Sequence, residues 1–98
     1  MELEFASKRL ASASINFSEA GRLFGVPIGR KYIQRLGLLR AADKFSGLFA
    51  FQALKLHPLK GVRDGQYAIT LTGNYRLIIE RIQEDKIRVV DVEDYHGD

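Results

Sequence analysis

From Tyr67 onward the chain alternates. Tyr67, Ile69 and Leu71 are interleaved with Ala68, Thr70 and Thr72, the period of two that sends successive side chains to opposite faces of a strand with one buried side. Gly73-Asn74 follows as a hairpin turn, because both residue types accept the positive φ that tight turns demand. Tyr75 to Ile82 carries Leu77, Ile78, Ile79 and Ile82. It is apolar on both faces, which predicts a central strand. Gln83 to Lys86 supplies the next polar turn, and Ile87, Val89, Val90 and Val92 a last strand.

The front half has a different rhythm. Leu3 to Phe5 reads as a short strand, and Ser7 to Ile15 as a short helix with Leu10, Ala11 and Ile15 on one side. Asn16 to Gly25 reads either as a second brief helix or as a connector, since Gly21 and Gly25 lie close together and weaken a helix. Pro27 opens a stronger one, its missing N–H costing nothing in a first turn. Ile28, Tyr32, Ile33, Leu36, Leu39 and Ala42 form the apolar stripe of that helix, with Arg30, Lys31, Gln34 and Arg35 on the other side. Gly47 is read as its end, and Phe45, Leu48, Phe49 and Phe51 as core beside that end. Helices first and an antiparallel three-strand meander after them make an α+β fold.

Length and composition narrow this further. Ninety-eight residues that are 46% hydrophobic and 28% charged predict one globular domain over 1–98. There is no cysteine, which excludes disulfides, thiolate metal sites and a thiol nucleophile. Glu2 and Glu4 replace the basic start of a leader, and no apolar run approaches the roughly 20 residues of a membrane span. The expectation is a soluble cytoplasmic protein whose mature form is the whole chain. The net charge of +3 is unevenly spread. Arg22 to Arg63 holds nine basic residues against the single acid Asp43, while the stretch after Arg63 holds four against eight acids. A basic front half over an acidic tail fits a polyanion such as a phosphate backbone, and fits equally a solvated charged helix.

Titratable residues gather in two places. His57 precedes Pro58, which biases its backbone to an extended form and presents the imidazole from a loop. Asp94, Tyr95 and His96 follow the last valine-rich strand. In a regular strand Asp94 and His96 point to one face and Tyr95 to the other. Arg76, at the start of the central strand, needs an anion: either a carboxylate among Asp91, Glu93 and Asp94, or a ligand phosphate. Lys60, Arg63 and Arg76 together suit a scissile phosphate. No close-spaced metal-ligand motif and no nucleophile elbow occurs, so acid/base chemistry with cationic stabilisation, without metal or cofactor, is the expectation.

The runs Lys55-Leu56-His57-Pro58-Leu59-Lys60-Gly61-Val62-Arg63-Asp64-Gly65, Tyr67-Ala68-Ile69-Thr70, Asn74-Tyr75-Arg76-Leu77 and Val92-Glu93-Asp94-Tyr95-His96 resemble, in order and spacing, the HigB-type plasmid maintenance killer proteins. Gly25-Val26-Pro27 matches them in layout. The resemblance implies a RelE/ParE-like fold, with helices packed on an antiparallel sheet. It implies a type II toxin, a ribosome-dependent mRNA endoribonuclease that meets 16S rRNA through its basic face and is inhibited by a HigA-like helix-turn-helix antitoxin. Carried over by position, His57, Asp94, Tyr95 and His96 become the catalytic group, and Lys60 and Arg76, with Arg63 beside them, the phosphate contacts. The chain departs from the pattern in Tyr67 and Tyr75, where relatives carry tryptophan, in a longer segment before Val26, and in Gly97-Asp98 after the histidine. Two other classes share the fold: a ParE-like gyrase poison without enzymatic activity, and a catalytically silent partner in a repressor complex.

Overall fold

A computed structural model describes residues 1–95 of the chain. The element order is β1 (Glu2–Phe5), α1 (Lys8–Ala13), α2 (Phe17–Phe24), α3 (Val26–Ala41), β2 (His57–Pro58), β3 (Gln66–Thr70), β4 (Tyr75–Gln83) and β5 (Lys86–Asp94). Short 3₁₀ turns at Phe45–Ala50, Gln52–Leu54 and Gly61–Arg63 fill the connections around β2.

Each helix has a local cause. The Ser7 hydroxyl accepts from the Leu10 N–H at the start of α1, and the Asn16 side chain accepts from the Glu19 N–H at the start of α2. Both are N-caps that satisfy donors the first turn leaves open. Asn16 to Gly25 is therefore a helix with its two boundary residues. Gly25, at φ 85°, makes the corner into α3. Gly29 lies where a Cβ would stand 2.7 Å from the Ala20 carbonyl and the Gly21 nitrogen. Its absent side chain is what lets α2 and α3 touch backbone to backbone.

The helix expected to reach Gly47 stops at Ala41, because Ala42 turns extended with ψ 142°. The chain then tightens into a 3₁₀ turn, in which every third residue shares a side. Phe45 and Leu48 are buried on that side, while Phe49 and Phe51, expected in the core, are 54% and 44% exposed. A second correction concerns Arg35. Its charge predicts the outer face with Arg30 and Lys31, yet it is only 7% exposed. It lies seven residues after Ile28 and three after Tyr32, within the apolar stripe.

The sheet order is β1-β5-β4-β3-β2. The antiparallel meander β3-β4-β5 stands as expected, and β1 adds a parallel strand along β5, Leu3 beside Ile87 and Phe5 beside Val89. The helices cover one face. There Leu10, Tyr32, Leu36, Leu39, Leu48, Leu54, Ile69, Leu77, Ile79, Ile87 and Val89 form the main core. Tyr32 spans it, its hydroxyl donating to the Leu10 carbonyl at 2.7 Å. Burial pushes that phenol above its ordinary range. No helix among the described residues is long and apolar enough to cross a membrane.

Candidate functional site on the open face of the sheet

Cross-strand partners share a face, so the register alone lays out the side of the sheet away from the helices. One row runs His57, Ala68, Ile78, Asp91, and the next runs Thr70, Arg76, Glu93. A third row is charged, with Glu4 and Glu80 bracketing Arg88 at 2.7 Å on each side.

Strand β5 reaches this face through a bulge. Ile79 pairs with Val89 and Ile78 with Asp91, which leaves Val90 as an extra residue. Its signature is present in the sequence: Ile87, Val89 and Val92 pack toward the main core, and the step from 89 to 92 breaks the period of two. In an unbroken strand Glu93 and Tyr95 would share the helix side with Ile87. The extra residue turns both onto the open face. Val90 and Tyr95 pack there with Leu59, Ala68 and Ile78 in a small second core.

His57 lies in a two-residue edge strand rather than the loop expected for it. Its ring centroid is 6.3 Å from that of Tyr95, tilted by 48°. Nδ1 is 2.9 Å from the Lys55 carbonyl oxygen, and Nε2 is fully buried with no hydrogen-bond partner among the described residues. Residues 38 apart in sequence are thus brought side by side by β2 at one sheet edge and the bulge in β5. Asp94 pairs opposite Tyr75, which packs on the main core, so strand alternation places it on the other side from Tyr95. His96 lies outside the described residues.

The cations divide. The carboxylate pairing considered for Arg76 is made instead by Arg63, whose two terminal nitrogens donate to Glu93 at 2.9 and 2.6 Å in a planar fork. The Glu93 carboxylate holds the Arg63 guanidinium above its already high ordinary range, with burial opposing and Tyr95 and Asp91 adding smaller attractions. Arg63 is thereby drawn into the internal architecture of this face. Among the described residues Arg76 donates only to backbone carbonyls, those of Gly73 at 2.8 Å and Tyr75 at 3.0 Å. Among the described residues neither Arg76 nor the exposed Lys60 has a carboxylate within ion-pair distance. Both keep charge to offer an incoming anion.

Arg35 is the charged residue that sequence reasoning misplaced. Its Nε donates to the Thr70 carbonyl at 2.9 Å and a terminal nitrogen reaches the Ala53 carbonyl at 3.5 Å, tying α3 to the end of β3. Burial pulls its pKa down from the ordinary arginine value. Helical spacing, followed without regard to charge, would have found it.

No protein-family model matches the chain. Over 45 residues it is 44% identical to the Endoribonuclease HigB of Proteus vulgaris. That match takes in 46% of this chain and 48% of the relative, so it spans about half of the relative's length. In fold the chain is similar to the YoeB/ParE toxin from Agrobacterium tumefaciens. The TM-score is 0.58 at 16% identity, over 99% of this chain and 100% of that one. The matched segment and the shared fold together bear out the resemblance to HigB-type toxins of the RelE/ParE superfamily.

Proposed function

We propose that the chain is the toxin of a type II toxin-antitoxin pair and cleaves mRNA on the ribosome by acid/base chemistry without a metal ion. The observation that carries the reading is the juxtaposition of the His57 and Tyr95 rings on the sheet face that also carries Arg76, a cation without a carboxylate partner among the described residues. A ribose 2′-hydroxyl attacks its own phosphate, giving up its proton to an imidazole. The bond from phosphorus to the 5′-oxygen breaks, and that oxygen leaves with a proton from a second acid. The products are a 2′,3′-cyclic phosphate and a 5′-hydroxyl. His57 and His96 share the two proton transfers, while Arg76 and Lys60 meet the charge that grows on the phosphoryl oxygens. Tyr95 orients a base or the His57 ring. Asp94 acts from the strand end through His96. Arg63 braces the face through Glu93.

The basic first half supplies the attraction to 16S rRNA backbone. Phe49 and Phe51 expose rings on which unpaired bases stack. A HigA-like helix-turn-helix protein is the proposed antitoxin, and the cytoplasm the proposed compartment.

The test is primer extension on a translated message. His57→Ala lowers cleavage by about 10² to 10⁴-fold, the usual worth of a general acid or base. Full activity in both His57→Ala and His96→Ala would end the scheme. The solved neighbour carries the ParE name as well as YoeB, so gyrase poisoning is the competing reading. Accumulation of cleaved DNA in a supercoiling assay, with intact message, selects it.

A further inference from the structure

Lys55 is the single non-glycine residue with positive φ among the described residues, at φ 48° and ψ 42°. L-residues avoid this left-handed region because the Cβ crowds the following carbonyl. Such conformations persist where the surroundings hold them, and they cluster at functional sites. Nothing about closing the preceding 3₁₀ turn calls for a lysine, since glycine or asparagine enters the region more cheaply. What the conformation does is visible two residues on: the Lys55 carbonyl oxygen is brought to 2.9 Å from Nδ1 of His57.

A carbonyl oxygen only accepts. The neutral ring therefore carries its hydrogen on Nδ1 and its lone pair on Nε2. Nε2 is the buried atom left without a partner among the described residues. Near the Tyr95 ring it is an unsatisfied acceptor, able to take a proton from a hydroxyl that displaces what covers it. The same carbonyl also stabilises the imidazolium that forms once Nε2 has taken a proton.

We infer that Lys55 is a positioning residue: its left-handed backbone locks His57 in the Nδ1–H tautomer and so assigns Nε2 as the atom that receives the ribose proton. The inference rests on the nuclease reading for its use, while the lock is a property of the free protein. In the reaction the 2′-oxygen loses its proton to Nε2 as it bonds to phosphorus, and the 5′-oxygen leaves with a proton from the second acid, the role that falls to His96.

The experiment reads the tautomer directly, by two-bond hydrogen–nitrogen correlation on nitrogen-15-labelled protein at a pH where the ring is neutral. His96→Gln makes His57 the sole imidazole in that spectrum. The expected result is a protonated Nδ1 and a bare Nε2. Lys55→Gly keeps the left-handed corner and should keep both the tautomer and cleavage within a few-fold. Lys55→Val, whose branched Cβ is excluded there, should shift the ring toward Nε2–H and lower cleavage by about tenfold or more. An Nε2–H tautomer in the protein with Lys55 intact overturns the inference, and that measurement stands even if the valine variant does not fold. Equal loss of cleavage in the glycine and valine variants also overturns it, since the ammonium rather than the carbonyl would then matter. The expected tautomers in a protein that cuts no RNA would support the lock and count against the nuclease reading, which separates the two failures.

Discussion

The two faces of the sheet are made by alternate residues of the same strands, and they are built on different principles. Toward the helices, Ile69, Leu77, Ile79, Ile87 and Val89 are all fully buried in one apolar core. On the other side a small patch of Leu59, Ala68 and Ile78 is ringed by Arg63, Arg76, Arg88, Glu4, Glu80 and Glu93. Folding free energy comes mainly from apolar area removed from water, so stability is concentrated on the first face. The second gives up that stabilisation and gains titratable groups next to one another. Stability and chemistry are separated here by the pleat of a single strand.

The bulge at Val90 is the hinge between the two designs, and undoing the phase it sets should have the largest effect. Inserting one alanine between Asp91 and Val92 moves every later residue of β5 by one position, which drives Glu93 toward the main core and turns Val92 out. The expected outcome is loss of cooperative unfolding in urea, with secondary structure followed by circular dichroism. An insertion variant that folds and still cleaves would show that the open face does not depend on this phase.

Substitutions confined to one face should separate the properties. Ile79→Ala empties a fully buried site on the helix side and should cost about 2–5 kcal/mol in urea unfolding, leaving cleavage per folded molecule unchanged. His57→Ala should do the reverse. Arg63 lies between these extremes: its fork to Glu93 is roughly one-third exposed on both sides. Replacing it by methionine should cost about 1 kcal/mol, more than a surface pair and less than a buried one. The Arg63→Met, Glu93→Leu double variant should recover part of that loss. A double-mutant cycle with no coupling would remove Arg63 as a brace.

The sequence was informative where one local period decided the outcome. Strands β3 to β5 were legible because alternation and the Gly73-Asn74 turn need no information from elsewhere in the chain. The parallel pairing of β1 was not, because four residues near the start of the chain meet Lys86 to Val89 only through the tertiary fold. Arg35 is hidden from a reading by charge, because it occupies a position that helical spacing gives to the apolar stripe. His57 and Tyr95 stand out as candidates from the proline after the histidine and the polar cluster after the last strand, and the family-like runs add their catalytic role. Their contact depends on a bulge whose trace, the uneven spacing of Ile87, Val89 and Val92, is clear only once the core side of β5 is known.

The smallest expected effect tests the charged edge of the open face, where Glu4 fastens β1 to β5. The hydrogen bond from Arg88 holds the Glu4 carboxyl below its ordinary value of 4.5, against a weaker upward pull from burial and with help from Lys86. A carboxyl depressed in the folded state binds its proton less readily there than in the unfolded chain. Its contribution is therefore fully present above pH 4.5 and is lost as the pH falls through the lower folded value. Glu4→Gln lacks the charge at every pH. The urea midpoints of the two proteins should consequently differ most near neutrality and converge in acid. They should also converge in high salt, because these groups are solvent-facing and their attraction is screened. An offset that stayed constant from neutral pH to about pH 3, below the unperturbed carboxylate range, would mean that Glu4 holds the edge by packing, and that the open face is less electrostatic than its row of Glu4, Arg88 and Glu80 implies.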